Sequence, residues 1–137
     1  NGRFLLPAAV RRVRALRDVA PGAPRRLVMG NQSTVRDFLH VEDVVAAYIA
    51  VAERGQAGRA YNVCSGVGRS VGDVARLVLD RLGVAGEIVS DPALVRPADV
   101  PALVGDPARL TADTGWAPRR TFDDLLHALI AAPDAPA

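Results

Sequence analysis

The sequence has no lysine: its seventeen basic residues are all arginine, set against fifteen acidic ones for a net charge of +2. GC-rich coding accounts for such a swap on solvated faces, but the chemical consequence holds either way. No step that needs a lysine amine, whether a Schiff base or a cation that keeps a neighbouring tyrosine acidic, can be carried by these residues. The single cysteine, Cys64, excludes an intrachain disulfide, and its place in the apolar run Tyr61-Asn-Val-Cys64 reads as a buried thiol rather than a nucleophile. His40 and His127 are far apart, and no Cys/His grouping has metal-ligand spacing, so no metal is expected. Although half of the residues are apolar, they never approach the roughly 18 to 20 in succession that a membrane span needs. The first residues lack the basic start, apolar run and small-residue cleavage site of a signal peptide, and the expected location is cytoplasmic.

What is present fits one modest α/β domain, 137 residues long and large enough to bury a core unaided. Leu6, Ala9, Val10, Val13 and Leu16 recur at helical spacing, and Pro21-Gly-Ala-Pro24 closes that helix before a short strand over Arg26–Gly30. Val35–Phe38 reads as a second extended piece, followed by a helix through Val41, Val44, Val45, Tyr48 and Ala52, with Glu42 and Asp43 complementing the dipole of its first turn. Ala60–Cys64 reads as a buried strand. Ser65, Gly66 and Gly68 then turn the chain towards a helix opened by Ser70 and Asp73. Glu87–Ser90 is a further strand. Asp106-Pro107 starts a short helix that Gly115 ends, and Thr121 with Asp124 caps the last one. Strands and helices alternate too irregularly for a complete doubly wound sheet, so a minor α/β lobe is expected over residues 1–131, with 132–137 as a disordered tail.

Two arginines stand in unusual settings: Arg36 inside Val35-Arg-Asp-Phe38, and Arg96 in the proline-rich stretch Arg96-Pro-Ala-Asp99. Two guanidinium forks can hold one diphosphate, and Asp99 can accept hydrogen bonds from ribose hydroxyls. Ion pairing with Asp37 or Asp99 on a solvated face is the other reading that spacing leaves open. Gly66-Val-Gly68 lacks the third glycine of a dinucleotide fingerprint and reads as a turn.

At these residues the chain resembles the extended short-chain dehydrogenase/reductase family, the sugar-nucleotide epimerases, dehydratases and reductases. Val35-Arg-Asp-Phe-Leu-His-Val-Glu-Asp43 is similar to the family's R-D-(F/Y/W)-x-x-V-x-D segment, and Tyr61-Asn-Val-Cys-Ser-Gly66 to its Y-N-(V/I)-x-x-G segment. Arg96-Pro-Ala-Asp-Val-Pro-Ala-Leu-Val-Gly-Asp106, with Thr114-Gly-Trp-Ala-Pro118 and Phe122, resembles its R-P-x-(D/E) run and the G-W-x-P that follows. The matches are collinear and span nearly the whole chain. The resemblance implies that Arg36 and Arg96 contact the diphosphate of a nucleoside-diphosphate sugar and Asp99 its ribose. Leu5, in Phe4-Leu-Leu-Pro7, and Asn31 are weaker candidates for the base pocket. Asp43 is implied as a helix-start residue, and Trp116 and Pro118 as packing. The finer likeness is to the GDP-sugar branch, 4-keto-6-deoxymannose reductases ahead of mannose 4,6-dehydratases, which more often carry glutamate and aspartate where this chain has Asp99 and Pro101. UDP- and dTDP-sugar epimerases are the remaining reading.

That family reacts through a Tyr-x-x-x-Lys pair. Here Tyr48 is followed four residues on by Ala52, and Tyr61 by Ser65, so neither tyrosine can serve. The glycine-rich dinucleotide loop is also missing. The expectation is therefore the C-terminal substrate-binding lobe of an enzyme whose NADP or NAD is held by an absent Rossmann domain, inactive by itself, with a homodimer possible for the intact enzyme. A stand-alone, non-catalytic nucleotide-binding module is the rival reading. Nucleic-acid binding by the arginine-rich opening is weaker, because no aromatics interleave with the charges.

Overall fold

The computed structural model describes residues 4–95 and 99–133. Its helices are α1 (Leu5–Ala15), α2 (Val41–Arg54), α3 (Val71–Arg81), α4 (Ala108–Thr114) and α5 (Phe122–Ala131). Its strands are β1 (Arg26–Met29), β2 (Val35–Asp37), β3 (Gly68–Ser70), β4 (Glu87–Ser90) and β5 (Ala102–Leu103), with single 3-10 turns at Leu16–Asp18 and Pro92–Leu94. This is the expected α/β lobe of short strands mixed with helices. The chain gathers into two compact units, one of Asn1–Thr34, Ser70–Pro101 and Ala128–Ala137, the other of Val35–Arg69 and Ala102–His127.

In the first unit β1 and β4 pair in parallel, Leu27 opposite Ile88 and Met29 opposite Ser90. Leu27 and Met29 are buried while Arg26 and Val28 are exposed, the alternation of a strand covered on one face. α1 packs on α3 and α3 on β4. The buried stripe of α1 is Leu6, Ala9, Val10 and Val13, as the helical spacing predicts, and that of α3 includes Val71, Val74, Ala75 and Val78. α3 is closed at both ends. Ser70 Oγ accepts the Asp73 N–H at 3.0 Å, and at the other end Val84 N–H reaches Leu79 O and Gly83 N–H reaches Asp80 O, a Schellman motif with Gly83 at φ 63°. Several arginines of the opening segment serve this unit. Arg12 donates to Val28 O at 3.2 Å, Arg14 to Ile130 O at 2.7 Å, Arg17 to Leu82 O, and Arg25 to Leu16 O at 3.0 Å.

In the second unit β2 lies between β3 and β5, and it pairs with β5 in parallel so that Arg36 stands opposite Leu103. Ala47 and Ala50 of α2, Leu110 of α4 and Trp116 form the core, with Leu39, Val51, Tyr61 and Val63 packed against it. Trp116 is packing, as expected, and its Nε1–H also donates to Asp43 O at 3.2 Å. Asp106 Oδ1 accepts the Ala108 N–H at 2.8 Å to start α4, and Gly115 ends it in the left-handed conformation. Thr121 and Asp124 form a reciprocal capping box: Thr121 N–H donates to Asp124 Oδ2 at 2.8 Å and Asp124 N–H to Thr121 Oγ1 at 3.1 Å.

One expected element is absent. Ala60–Cys64 is not a strand among the described residues; it is tied down by side chains instead of a backbone ladder. Arg109 donates to Ala60 O at 3.1 Å, Tyr61 Oη to Asp113 at 2.7 Å, and Asn62 Nδ2 to Asp106 O at 3.3 Å. Conversely, β3 arises in a segment read as a turn, and β5 in one for which no strand was expected.

Candidate functional site

A cleft of about 540 Å³ opens in the second unit, with Arg36, Asn62, Leu103 and Gly105 among its lining residues. Arg36 is half-buried on the central strand β2, and its Nη1–H donates to the Val35 carbonyl at 2.8 Å. A planar, permanently charged fork at such a place suits an anion with several oxygens.

The neighbouring Asp37 ties the cleft together. Its Oδ1 accepts the Ser65 N–H at 2.9 Å and the Ser65 hydroxyl at 2.6 Å, while Oδ2 accepts the N–H groups of Gly66 at 2.9 Å and Gly105 at 3.4 Å. Reading the sequence assigned Asp37 no more than a possible pairing with Arg36, because its partners lie 28 to 68 positions further along the chain. Gly105 sits so close over Cys64 that a Cβ there would lie 2.5 Å from the sulfur. Burial pushes the Cys64 thiol above its usual pKa, and the charge of Asp37 adds to the shift. The thiol is buried and poorly ionised, which suits packing and not nucleophilic attack.

Of the other sequence candidates, Leu5, Asn31 and Asp99 lie in the first unit. Leu5 is the first residue of α1 and is partly exposed. Asn31 shapes a turn: its Oδ1 accepts the Ser33 N–H at 3.0 Å and the Ser33 hydroxyl at 2.7 Å, and its carbonyl accepts the Thr34 hydroxyl at 3.2 Å. Asp99 is half-buried shortly before β5. Arg96 lies outside the described residues. Asp43 is a helix-start residue that does more than complement a dipole. Only 4% exposed, it accepts the N–H groups of Arg119 at 3.1 Å and Arg120 at 2.9 Å. His40 caps α2, its Nδ1 accepting the Glu42 N–H at 3.2 Å.

Gly66 to Gly68 leads into strand β3 and not into a helix N-terminus, and the first turn of α3 is already occupied by Ser70 and Asp73. The described residues therefore offer no fit for a dinucleotide pyrophosphate of the kind that a glycine-rich strand-to-helix turn provides. Among them no group of three or more His, Cys, Asp or Glu side chains is placed to hold a metal, and no helix is long and apolar enough to cross a membrane.

Comparison with known proteins places this arrangement. The family model described as GDP-mannose 4,6 dehydratase matches residues 9–129. Over 127 residues the chain is 36% identical to the GDP-6-deoxy-D-mannose reductase of Pseudomonas aeruginosa, covering 93% of this chain and 41% of that protein. The structure of RMD from Pseudomonas aeruginosa complexed with NADPH superposes with a TM-score of 0.82 at 33% identity, covering 96% of this chain and 42% of that one. The UDP-glucose 4-epimerase of Thermotoga maritima with UDP-glucose follows at a TM-score of 0.76 and 25% identity, covering 93% of this chain and 38% of that one. The chain thus spans about two fifths of the length of the curated relatives it matches.

Proposed function

The chain belongs to the GDP-mannose 4,6 dehydratase family, and on that premise we propose that it is the sugar-nucleotide-binding part of an NAD(P)-dependent enzyme acting on a GDP-sugar. The observation that carries the reading is Arg36, a half-buried guanidinium on the central strand of a small sheet, lining a cleft of about 540 Å³. In this reading Arg36 and Arg96 hold the diphosphate and Asp99 the ribose, while Leu5 and Asn31 border the base. A charge-assisted hydrogen bond of this kind contributes about 1.5–3 kcal/mol, enough for one arginine to change affinity at least tenfold.

Reduction of a GDP-4-keto-6-deoxymannose is the reaction we favour, supported by the 36% identity to a GDP-6-deoxy-D-mannose reductase. Dehydration of GDP-mannose is the alternative that the family model supports. A relative is known with NADPH bound. When bound, a nicotinamide supplies or accepts hydride. Neither that cofactor nor a Tyr-x-x-x-Lys pair fits the residues described here, so both are assigned to the three fifths of the relatives' length that this chain does not span. The chain's own share is positioning: binding energy from the nucleotide, remote from the reacting carbon, orients the sugar.

Isothermal titration of the chain with GDP and with GDP-mannose tests the reading. Micromolar binding of both supports it; no heat of binding up to millimolar ligand sinks it.

A further inference from the structure

Three segments at the Arg36 cleft meet on one carboxylate. They are β2, which carries Arg36 and Asp37; the Ser65–Gly66 turn, which directly follows the lining residues Tyr61 to Cys64; and the backbone at Gly105, two residues beyond the Leu103 that pairs with Arg36. Outside β2, backbone ladders do little to hold these segments. The run from Ala60 to Cys64 enters no ladder among the described residues, β5 is two residues long, and Gly105 has no side chain to anchor it. Ser65 extends the linkage one step further, since its Oγ, while donating to Asp37, accepts the Val67 N–H at 3.1 Å just before β3. Two strands flanking β2 are in this way both tied to the residue next to Arg36.

We propose that Asp37 is the positioning residue of this cleft: by holding the Ser65–Gly66 turn and Gly105 to β2 at once, it fixes the walls against which an anion at Arg36 lies. The inference rests on the reading of the cleft as a diphosphate site. An ionised carboxylate suits the role because all four of its bonds are accepted from N–H or O–H donors. Asparagine cannot replace it. One of its two polar atoms is an NH2 group, which would face the N–H donors of Gly66 and Gly105 or those of Ser65.

The test is titration of the whole chain with GDP and GMP, comparing Asp37→Asn, Ser65→Ala and Arg36→Ala with the wild type. A distorted cleft loses what the second phosphate adds, so Asp37→Asn should lower the ratio of GDP to GMP affinity at least fivefold, approaching Arg36→Ala. Ser65→Ala, which keeps all three backbone donors, should lower it about twofold. General destabilisation would weaken both ligands alike and leave the ratio unchanged. Should Asp37→Asn fail to fold, Ser65→Ala decides, and an unchanged ratio there overturns the proposal. If Arg36→Ala lowers the ratio while neither other variant does, the positioning role is wrong and the diphosphate reading stands. A wild-type chain that binds neither nucleotide overturns the diphosphate reading and this role with it.

Discussion

The Tyr61 hydroxyl donates a 2.7 Å hydrogen bond to the Asp113 carboxylate and accepts the Gln56 N–H at 2.9 Å, joining the end of α2 to α4. Arg59 completes the cluster with a 2.9 Å ion pair to the same carboxylate. These partners, the Tyr61 bond foremost, hold the Asp113 carboxyl below its ordinary pKa. A carboxyl with a lowered folded-state pKa adds stability above its unfolded-state pKa, and that contribution is lost as pH falls through the folded value. Asp124, held low by the Thr121 N–H and hydroxyl, acts in the same direction. Urea midpoints should therefore fall as pH drops from about 5 towards 2. Tyr61→Phe should flatten that dependence while lowering the midpoint at neutral pH. An acid limb as steep in the variant as in the wild type would show that the Tyr61 bond does not set the Asp113 ionisation.

Asp43 is a buried carboxylate with a structural task. It accepts two backbone N–H groups from the segment that leads into α5. Asp43→Ala leaves both donors without their acceptor and should cost about 2 kcal/mol, whereas Asp43→Asn, keeping one acceptor oxygen, should cost about half as much. Chemical denaturation of the two variants checks the order.

How far these features can be read from the chain depends on the sequence distance of their partners. The capping pairs Ser70–Asp73 and Thr121–Asp124 are three residues apart, and both form as their spacing predicts. The stripes of α1 and α3 follow equally from local periodicity. Tyr61-Asn-Val-Cys64 has the composition of a strand, yet composition cannot supply a pairing partner, and side-chain bonds to α4 and to the segment leading into it fix the run instead. β3 is Gly-Arg-Ser, which no strand propensity would select; it exists because β2 is beside it. Asp37 was illegible for the same reason, its donors being supplied by two distant loops. Arg36 was legible through the motif resembled, not through its surroundings.

Gly105 and Cys64 should be coupled. A methyl group at position 105 would lie 2.5 Å from the Cys64 sulfur and 2.8 Å from its Cβ, and the neighbours cannot yield that much without moving backbone. Gly105→Ala should cost about 2 kcal/mol. Cys64→Ala, which removes the nearer atom and leaves the farther, should recover part of that loss, and a double-mutant cycle measures the coupling. Gly83 gives the contrast. It has open space around its Cβ position and needs only the left-handed conformation, so Gly83→Asn should stay within about 0.5 kcal/mol of the wild type. The same packing shields the thiol, whose pKa is raised by burial and by Asp37. Alkylation of the native chain at pH 8 should run at least about tenfold slower than in urea. Equal rates would place the sulfur at the surface.

The Arg36 fork makes the sharpest prediction about ligand binding. If it contacts a diphosphate, Arg36→Ala should weaken GDP-mannose between about tenfold and a hundredfold, from the loss of about 1.5–3 kcal/mol of charge-assisted bonding. Arg36→Lys keeps the charge but loses the planar pair of donors, and should fall between the alanine variant and the wild type. Salt separates a contact from a general field. A direct ion contact should make wild-type affinity decline more steeply with added salt than that of Arg36→Ala, whereas parallel declines would mean that the guanidinium acts only through the overall charge of the lobe. Affinity equal in all three proteins would remove Arg36 from the site, and with it the observation that carries the diphosphate reading.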